Sequence, residues 1–130
     1  MGQTRDDLDE LTRAFYREVD ANDEKVFARR FTSEAVFEFN DFPAVTGPNG
    51  VADMVAAWKS GFQSVVHDLR NVIVDSETST TVAEIAVGYV FPDGTPLAVR
   101  GCSISTYDDE GLMTGWRVYV DTSRSNSSAA

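Results

Sequence analysis

Gly115-Trp116-Arg117-Val118-Tyr119-Val120-Asp121 closes a run that begins at Tyr89, in which two apolar strands and a tight turn come first. Side chains on a strand alternate between faces, so Trp116, Val118 and Val120 share one face and Arg117 and Tyr119 the other. Upstream, the period of two predicts strands near residues 67–75, 81–91, 97–107 and 112–121. The turns between them fall at Ser76–Thr80, Pro92-Asp93-Gly94 and Asp108-Asp109-Glu110-Gly111. Long antiparallel strands joined by tight turns form a meander, and something must cover its apolar face.

The first half supplies that cover. Thr4 and Asp7 form a capping-box-like start. Leu8, Leu11, Phe15 and Val19 follow at helical spacing, so a first helix runs to about Asn22. Asp23 caps a shorter helix whose apolar face is Val26, Phe27 and Phe31. Ala35-Val36-Phe37-Glu38-Phe39 reads as a short strand, with Ala35, Phe37 and Phe39 on one side. Asp41 shares that parity if the strand continues. Residues Asp41 to Gly50, with two prolines and two glycines, read as a loop. A third helix then carries Val51, Met54, Val55, Trp58 and Phe62 along one side. The expected fold class is α+β: a curved antiparallel sheet packed on three N-terminal helices to make a cone with an internal pocket. Residues 1–121 form one domain, and the Ser-rich tail 122–130 is expected to be disordered.

Composition narrows the function. The chain has 130 residues and a net charge of −10. That charge speaks against nucleic acid and against anionic membranes as partners. No apolar run approaches the roughly 20 residues of a membrane span, and the first residues show no signal region. Cys102 is the single cysteine, which removes internal disulfides and cysteine-cluster metal sites. A cytoplasmic protein with no metal or organic cofactor is expected.

Parity then selects the inward side chains. Val99, Gly101, Ser103 and Ser105 lie opposite Ala98, Arg100, Cys102 and Ile104, and small residues in mid-strand leave room for a cavity. His67, Leu69, Asn71 and Ile73 share a face, opposite Asp68 and Arg70. Tyr89 shares the inward face with Ile85 and Val87, and its hydroxyl calls for a partner such as His67 or Asp41. Strict alternation turns Asp121 outward, and a bulge at the rim would turn it in. No glycine-rich phosphate loop and no Gly-x-Ser-x-Gly elbow is present.

Several pieces in order resemble the SnoaL-like group of the nuclear transport factor 2-like superfamily. They are Phe15-Tyr16, Ala21-Asn22-Asp23, Phe31, Ala35-Val36-Phe37-Glu38, Gly47, Asp93-Gly94, Glu110-Gly111-Leu112 and Trp116 to Asp121. The resemblance covers residues 5–121. It implies polyketide cyclase-like, isomerase, dehydratase or hydrolase chemistry. Steroid isomerase chemistry is not implied, because its three positions fall on Phe15, Phe39 and Ser103. The epoxide hydrolase Asp-Arg-Asp set is absent as well, its positions falling on Val118, Ala86 and Glu84. Asp121 matches the cyclase acid-base aspartate, while His67 with Asn71 fits the dehydratase-like members.

Two readings follow. In the first, a cofactor-free enzyme acts on a hydrophobic small molecule by acid-base chemistry, with His67, Asp121, Asp41 and Tyr16 as catalytic residues. Imidazole is suited to this because its ordinary pKa lies near neutrality. Phe37, Phe39, Trp58, Phe62, Trp116 and Val118 would form apolar walls, with Asn71, Tyr89 and Ser103 as polar contacts. In the second, the chain is a non-catalytic ligand-binding or dimerisation module in which His67 and Asn71 satisfy each other. Both readings expect a homodimer through the outer sheet face at Cys102, Ile104 and Tyr119.

Overall fold

The computed structural model describes residues 2–124. Helix α1 spans Arg5–Asp20, α2 Val26–Arg30 and α3 Pro48–Lys59. The strands are β1 Phe31–Phe39, β2 Val45–Thr46, β3 Ser64–Asp75, β4 Thr80–Val90, β5 Pro96–Tyr107 and β6 Met113–Val120. They form one curved, unclosed sheet in the order β2-β1-β6-β5-β4-β3. The expected α+β cone is present. The sheet is mixed, because β1 lies parallel to β6 while every other pair is antiparallel. The chain passes from β1 through β2 and α3 to β3 at the far edge of the sheet, and the meander then returns strand by strand until β6 lies beside β1.

The capping box forms as read: Thr4 Oγ1 accepts from the Asp7 amide at 3.1 Å, and Asp7 Oδ2 accepts from the Thr4 amide at 3.0 Å. Both close two of the orphan donors at the start of α1. Helix α1 buries Leu8, Thr12, Phe15, Tyr16 and Val19. Asp23 does not cap α2 by its side chain, which instead accepts from the Lys25 amide at 3.0 Å. Helix α3 begins at Pro48, earlier than the apolar stripe suggests, since proline at a first helical position gives up only an amide that has no partner there. It ends at Lys59, so Phe62 lies beyond it.

Phe15, Phe27, Phe31, Phe37 and Trp116 form an aromatic core between helices and sheet, with Phe37 stacked on Trp116 at 4.4 Å between centroids. At the rim, Asn40 sits at φ 49°, a region asparagine tolerates. Its side chain clips β1 to β6, donating to Val120 O at 2.9 Å and accepting from the Val120 amide at 3.0 Å.

One irregularity matters for the site. In β3, Leu69 pairs with Ile85 but Asn71 pairs with Glu84, so Arg70 is an extra residue. A bulge reverses the parity of everything after it. Val65, His67 and Leu69 face the helices before it, whereas Val72 and Val74 do so after it. Asn71 and Ile73 therefore face outward, contrary to the alternation expected from His67 onward. Of the tail, Thr122–Arg124 leave the sheet in a turn, and residues 125–130 lie outside the described residues.

Candidate functional site

Between α1, α3 and the concave face of the sheet lies a cavity of about 190 Å³. Phe37, Phe39, Trp58, Tyr89, Trp116 and Val118 line it, as their strand and helix phases predict. Val19, Phe42, Met54, Val55 and Val120 add apolar surface. Phe62 does not line it; it packs behind Trp58 and Tyr89, with ring centroids at 5.5 and 4.7 Å.

The polar end of the cavity is built around His67. Its Nδ1 lies 2.6 Å from Asp20 Oδ1, and its backbone amide donates to Asp20 Oδ2 at 2.8 Å. A carboxylate can only accept, so Nδ1 is the donor, and in the neutral ring it is Nε2 that carries the lone pair. The two-point grip fixes both the ring and its tautomer. His67 also packs on Tyr16, ring centroids 5.0 Å apart. It forms a partition: one side lines the cavity, and the other faces a surface depression shared with Arg13, Arg17, Asp20 and Asp68.

Asp20 is the last residue of α1, the end of a helix where the dipole disfavours negative charge. Lys59 compensates. Its Nζ donates to Val19 O and to Asn22 Oδ1 at 3.0 Å, and it lines the cavity beside His67. Burial lowers the Lys59 pKa, and the nearby Asp20 charge opposes that shift.

Tyr16 is buried and its hydroxyl accepts from Trp116 Nε1 at 3.1 Å. Burial raises its pKa far above the usual phenol range, so it stays a neutral hydroxyl that can donate but not act as a base. Burial likewise pushes Tyr89 up to about 12. The Tyr89 hydroxyl finds neither His67 nor Asp41; it is buried with no hydrogen-bond partner.

Three expected polar site residues lie on the outside of the molecule. Asp121 is exposed beyond β6 and accepts from the Ser123 amide at 2.9 Å; hydrogen bonding by Ser123, its side chain first and its amide second, lowers the Asp121 pKa. No bulge turns it inward, because β6 keeps a regular register with β5 from Gly115 to Val120. Asp41 is exposed in the turn after β1, where Asn40 ends the alternation. Asn71 is carried outward by the Arg70 bulge and donates to Glu84 Oε1 at 2.9 Å, so it does not satisfy His67. Ser103 faces inward but is sealed below the cavity, its hydroxyl unpartnered.

Asp20 and Lys59 were missed. A sequence signal for Asp20 exists: a carboxylate in the last turn of an amphipathic helix breaks the charge preference of helix ends, and such breaks mark sites. Among the described residues, no group of three or more His, Cys, Asp or Glu is placed to hold a metal. No helix among the described residues is long and apolar enough to cross a membrane.

Helices packed into the concave face of a curved, unclosed sheet define the nuclear transport factor 2-like fold. Residues 12–116 match the SnoaL-like domain, and the chain belongs to that family. No curated protein matches it by sequence. Among solved structures it is similar to a protein of Jannaschia sp. CCS1 assigned to the SnoaL-like polyketide cyclases, at 21% identity and a TM-score of 0.79, covering 92% of each chain. It is similar to the BvnE pinacolase of Penicillium brevicompactum at 14% identity and TM-score 0.81, covering 99% of this chain and 94% of that one. An LEH-like epoxide hydrolase of M. tuberculosis is similar at 16% identity and TM-score 0.74, covering 89% and 84%. Identities this low establish likeness of fold, while the reactions belong to those proteins.

Proposed function

We propose that this chain is a small-molecule enzyme that moves protons without a cofactor, with His67 as its acid-base group. The observation that carries the reading is the 2.6 Å contact between His67 Nδ1 and Asp20 Oδ1 at the wall of an apolar cavity. Asp20 holds the imidazole in the tautomer that leaves Nε2 free, so Nε2 takes a proton from a bound molecule and the imidazolium returns it. Asp20 stabilises the imidazolium as it forms. Because the far side of His67 meets the surface depression, protons exchange with solvent without passing through the cavity. Tyr16 supplies a neutral hydroxyl and Lys59 a positive charge near the polar end. Isomerisation, cyclisation, dehydration and hydrolysis all need such a proton transfer.

The test is deuterium incorporation next to the carbonyl of one-ring cyclic ketones in D₂O, followed by NMR, together with ring opening of one-ring epoxides. Wild-type protein should accelerate at least one of them, and His67→Gln should lower that rate about a hundredfold, the usual size of a general acid-base contribution. Equal rates for wild type and His67→Gln would sink the catalytic reading.

One observation favours the alternative, a ligand-binding module. Asp20 fully engages Nδ1 and the His67 amide, which a structural histidine also requires. Binding without turnover would select it. Under either reading the outer sheet face, with Tyr119 exposed beside Cys102 and Ile104, is proposed to pair two copies in a cytoplasmic homodimer. Sedimentation of dilute protein as a monomer would remove that pairing.

A further inference from the structure

We infer that the cavity takes a compact, uncharged, single-ring molecule with one polar group turned toward His67, and that Gly101 sets the size limit. The inference rests on the site of the proposed enzyme but concerns what fits there, whether or not it reacts.

Size comes first. A dry apolar cavity of about 150 Å³ accepts benzene. At about 190 Å³ the present cavity has room for one substituted ring, and a second fused ring would press on its walls. Chemistry comes next. The walls at Phe39, Met54, Trp58, Val87 and Val118 carry no charge, and burying an unpaired ionic group against them would be costly. Polarity is concentrated on the side of His67, Lys59 and Tyr16, where Nε2 has no protein partner among the described residues, while the Tyr89 hydroxyl on the lining is itself buried. A bound ring therefore has one orientation, its polar substituent toward β3.

Gly101 lies in mid-β5, paired to Ile85 on one side and Val120 on the other. It is not among the glycines with positive φ, so no turn requires it. A Cβ there would meet Val120 Cβ and Cγ2 and Val87 Cγ2, each at 3.4 Å. Those are ordinary contacts, so the fold accommodates a methyl, and the methyl would project among side chains that line the cavity. Glycine at this position is room for a ligand.

Calorimetric titration of the full chain with p-cresol, p-xylene, 2-naphthol and 2-anthrol tests this. Wild-type protein should bind p-cresol, bind two-ring 2-naphthol more weakly, and fail to bind three-ring 2-anthrol. Gly101→Ala should weaken 2-naphthol about tenfold while changing p-cresol less than threefold. His67→Leu should lower the ratio of p-cresol to p-xylene affinity about tenfold. If Gly101→Ala does not fold, Val118→Met on β6 fills the same cavity and should discriminate in the same sense. Binding of 2-anthrol as tight as that of p-cresol, equal loss of both phenols in the cavity-filling variant, or an unchanged p-cresol to p-xylene ratio would overturn the inference. These outcomes are separable from the catalytic reading: intact discrimination without His67-dependent exchange removes only the enzyme, and exchange without discrimination removes only the size limit.

Discussion

Two polar clusters lie under the same sheet, and they differ in one respect that decides what each can do. Toward the narrow end, Thr12 Oγ1 contacts Thr81 Oγ1 at 2.8 Å and the Tyr107 hydroxyl at 2.6 Å, and all three residues are buried. Each of these three hydroxyls has a partner. Toward the wide end, His67 and Asp20 are equally close, yet His67 lines an open apolar space and its second ring nitrogen has no protein partner among the described residues. Satisfied groups hold helix to sheet; a group left one bond short can act on something else. The same two helical turns of α1 serve both ends, through Thr12 and Asp20.

The contrast can be broken by exchanging losses. Asp20→Ala should reduce any His67-dependent turnover about a hundredfold, since the imidazole loses its tautomer and its grip; added p-cresol should still bind. Turnover unchanged by Asp20→Ala would leave His67 as a lone base and remove the pair. Thr12→Val should do the opposite. It strands the Thr81 and Tyr107 hydroxyls in the core and should cost about 1–3 kcal/mol in a denaturant titration, with turnover per folded molecule unaltered. A drop in turnover there would mean that the two clusters are coupled.

A smaller effect separates the outer surface of α1 from both. Glu18 bonds Arg30 at 2.5 Å and Arg29 at 2.6 Å, and the Arg30 bond chiefly brings its pKa from 4.5 down to about 2. A lowered carboxylate pKa gives stability that is full above pH 4.5 and fades as pH falls toward 2. Glu18→Gln should flatten the acid limb of stability in that window by about 1 kcal/mol, measured by thermal melts. An unchanged acid limb would show that the pair contributes nothing.

The smallest effects probe single hydroxyls and the rim. Tyr89→Phe removes a buried hydroxyl without a partner and should leave stability unchanged or raise it by up to about 1 kcal/mol. A loss would reveal a bond the free protein makes by other means. Asp121→Ala should change stability by less than about 0.5 kcal/mol and leave turnover intact, as befits an exposed position.

Much of this was legible in residue order. The period-two runs of β4 and β5, and of β6 from Gly115 onward, are unbroken, and so Tyr89, Trp116 and Val118 are found where alternation puts them. The stripe of α1 was equally plain. What failed is local to β3 and to the loops. One extra residue, Arg70, costs nothing visible in the sequence, yet it sends Asn71 outward. Asp41 follows Asn40, whose positive φ ends the strand's alternation.

By itself, then, the sequence determined the elements, most of their inward faces and the apolar character of the space they enclose, because periodicity is a property of neighbours along the chain. Only the tertiary structure decided that β1 runs parallel to β6 and which carboxylate holds His67. Asp20 and His67 are separated by 47 residues and meet because α1 crosses β3 at its end. No local pattern encodes such a crossing. It follows from how helices settle on a curved sheet, and it turns an aspartate at the wrong end of a helix into the partner of the one histidine in the chain.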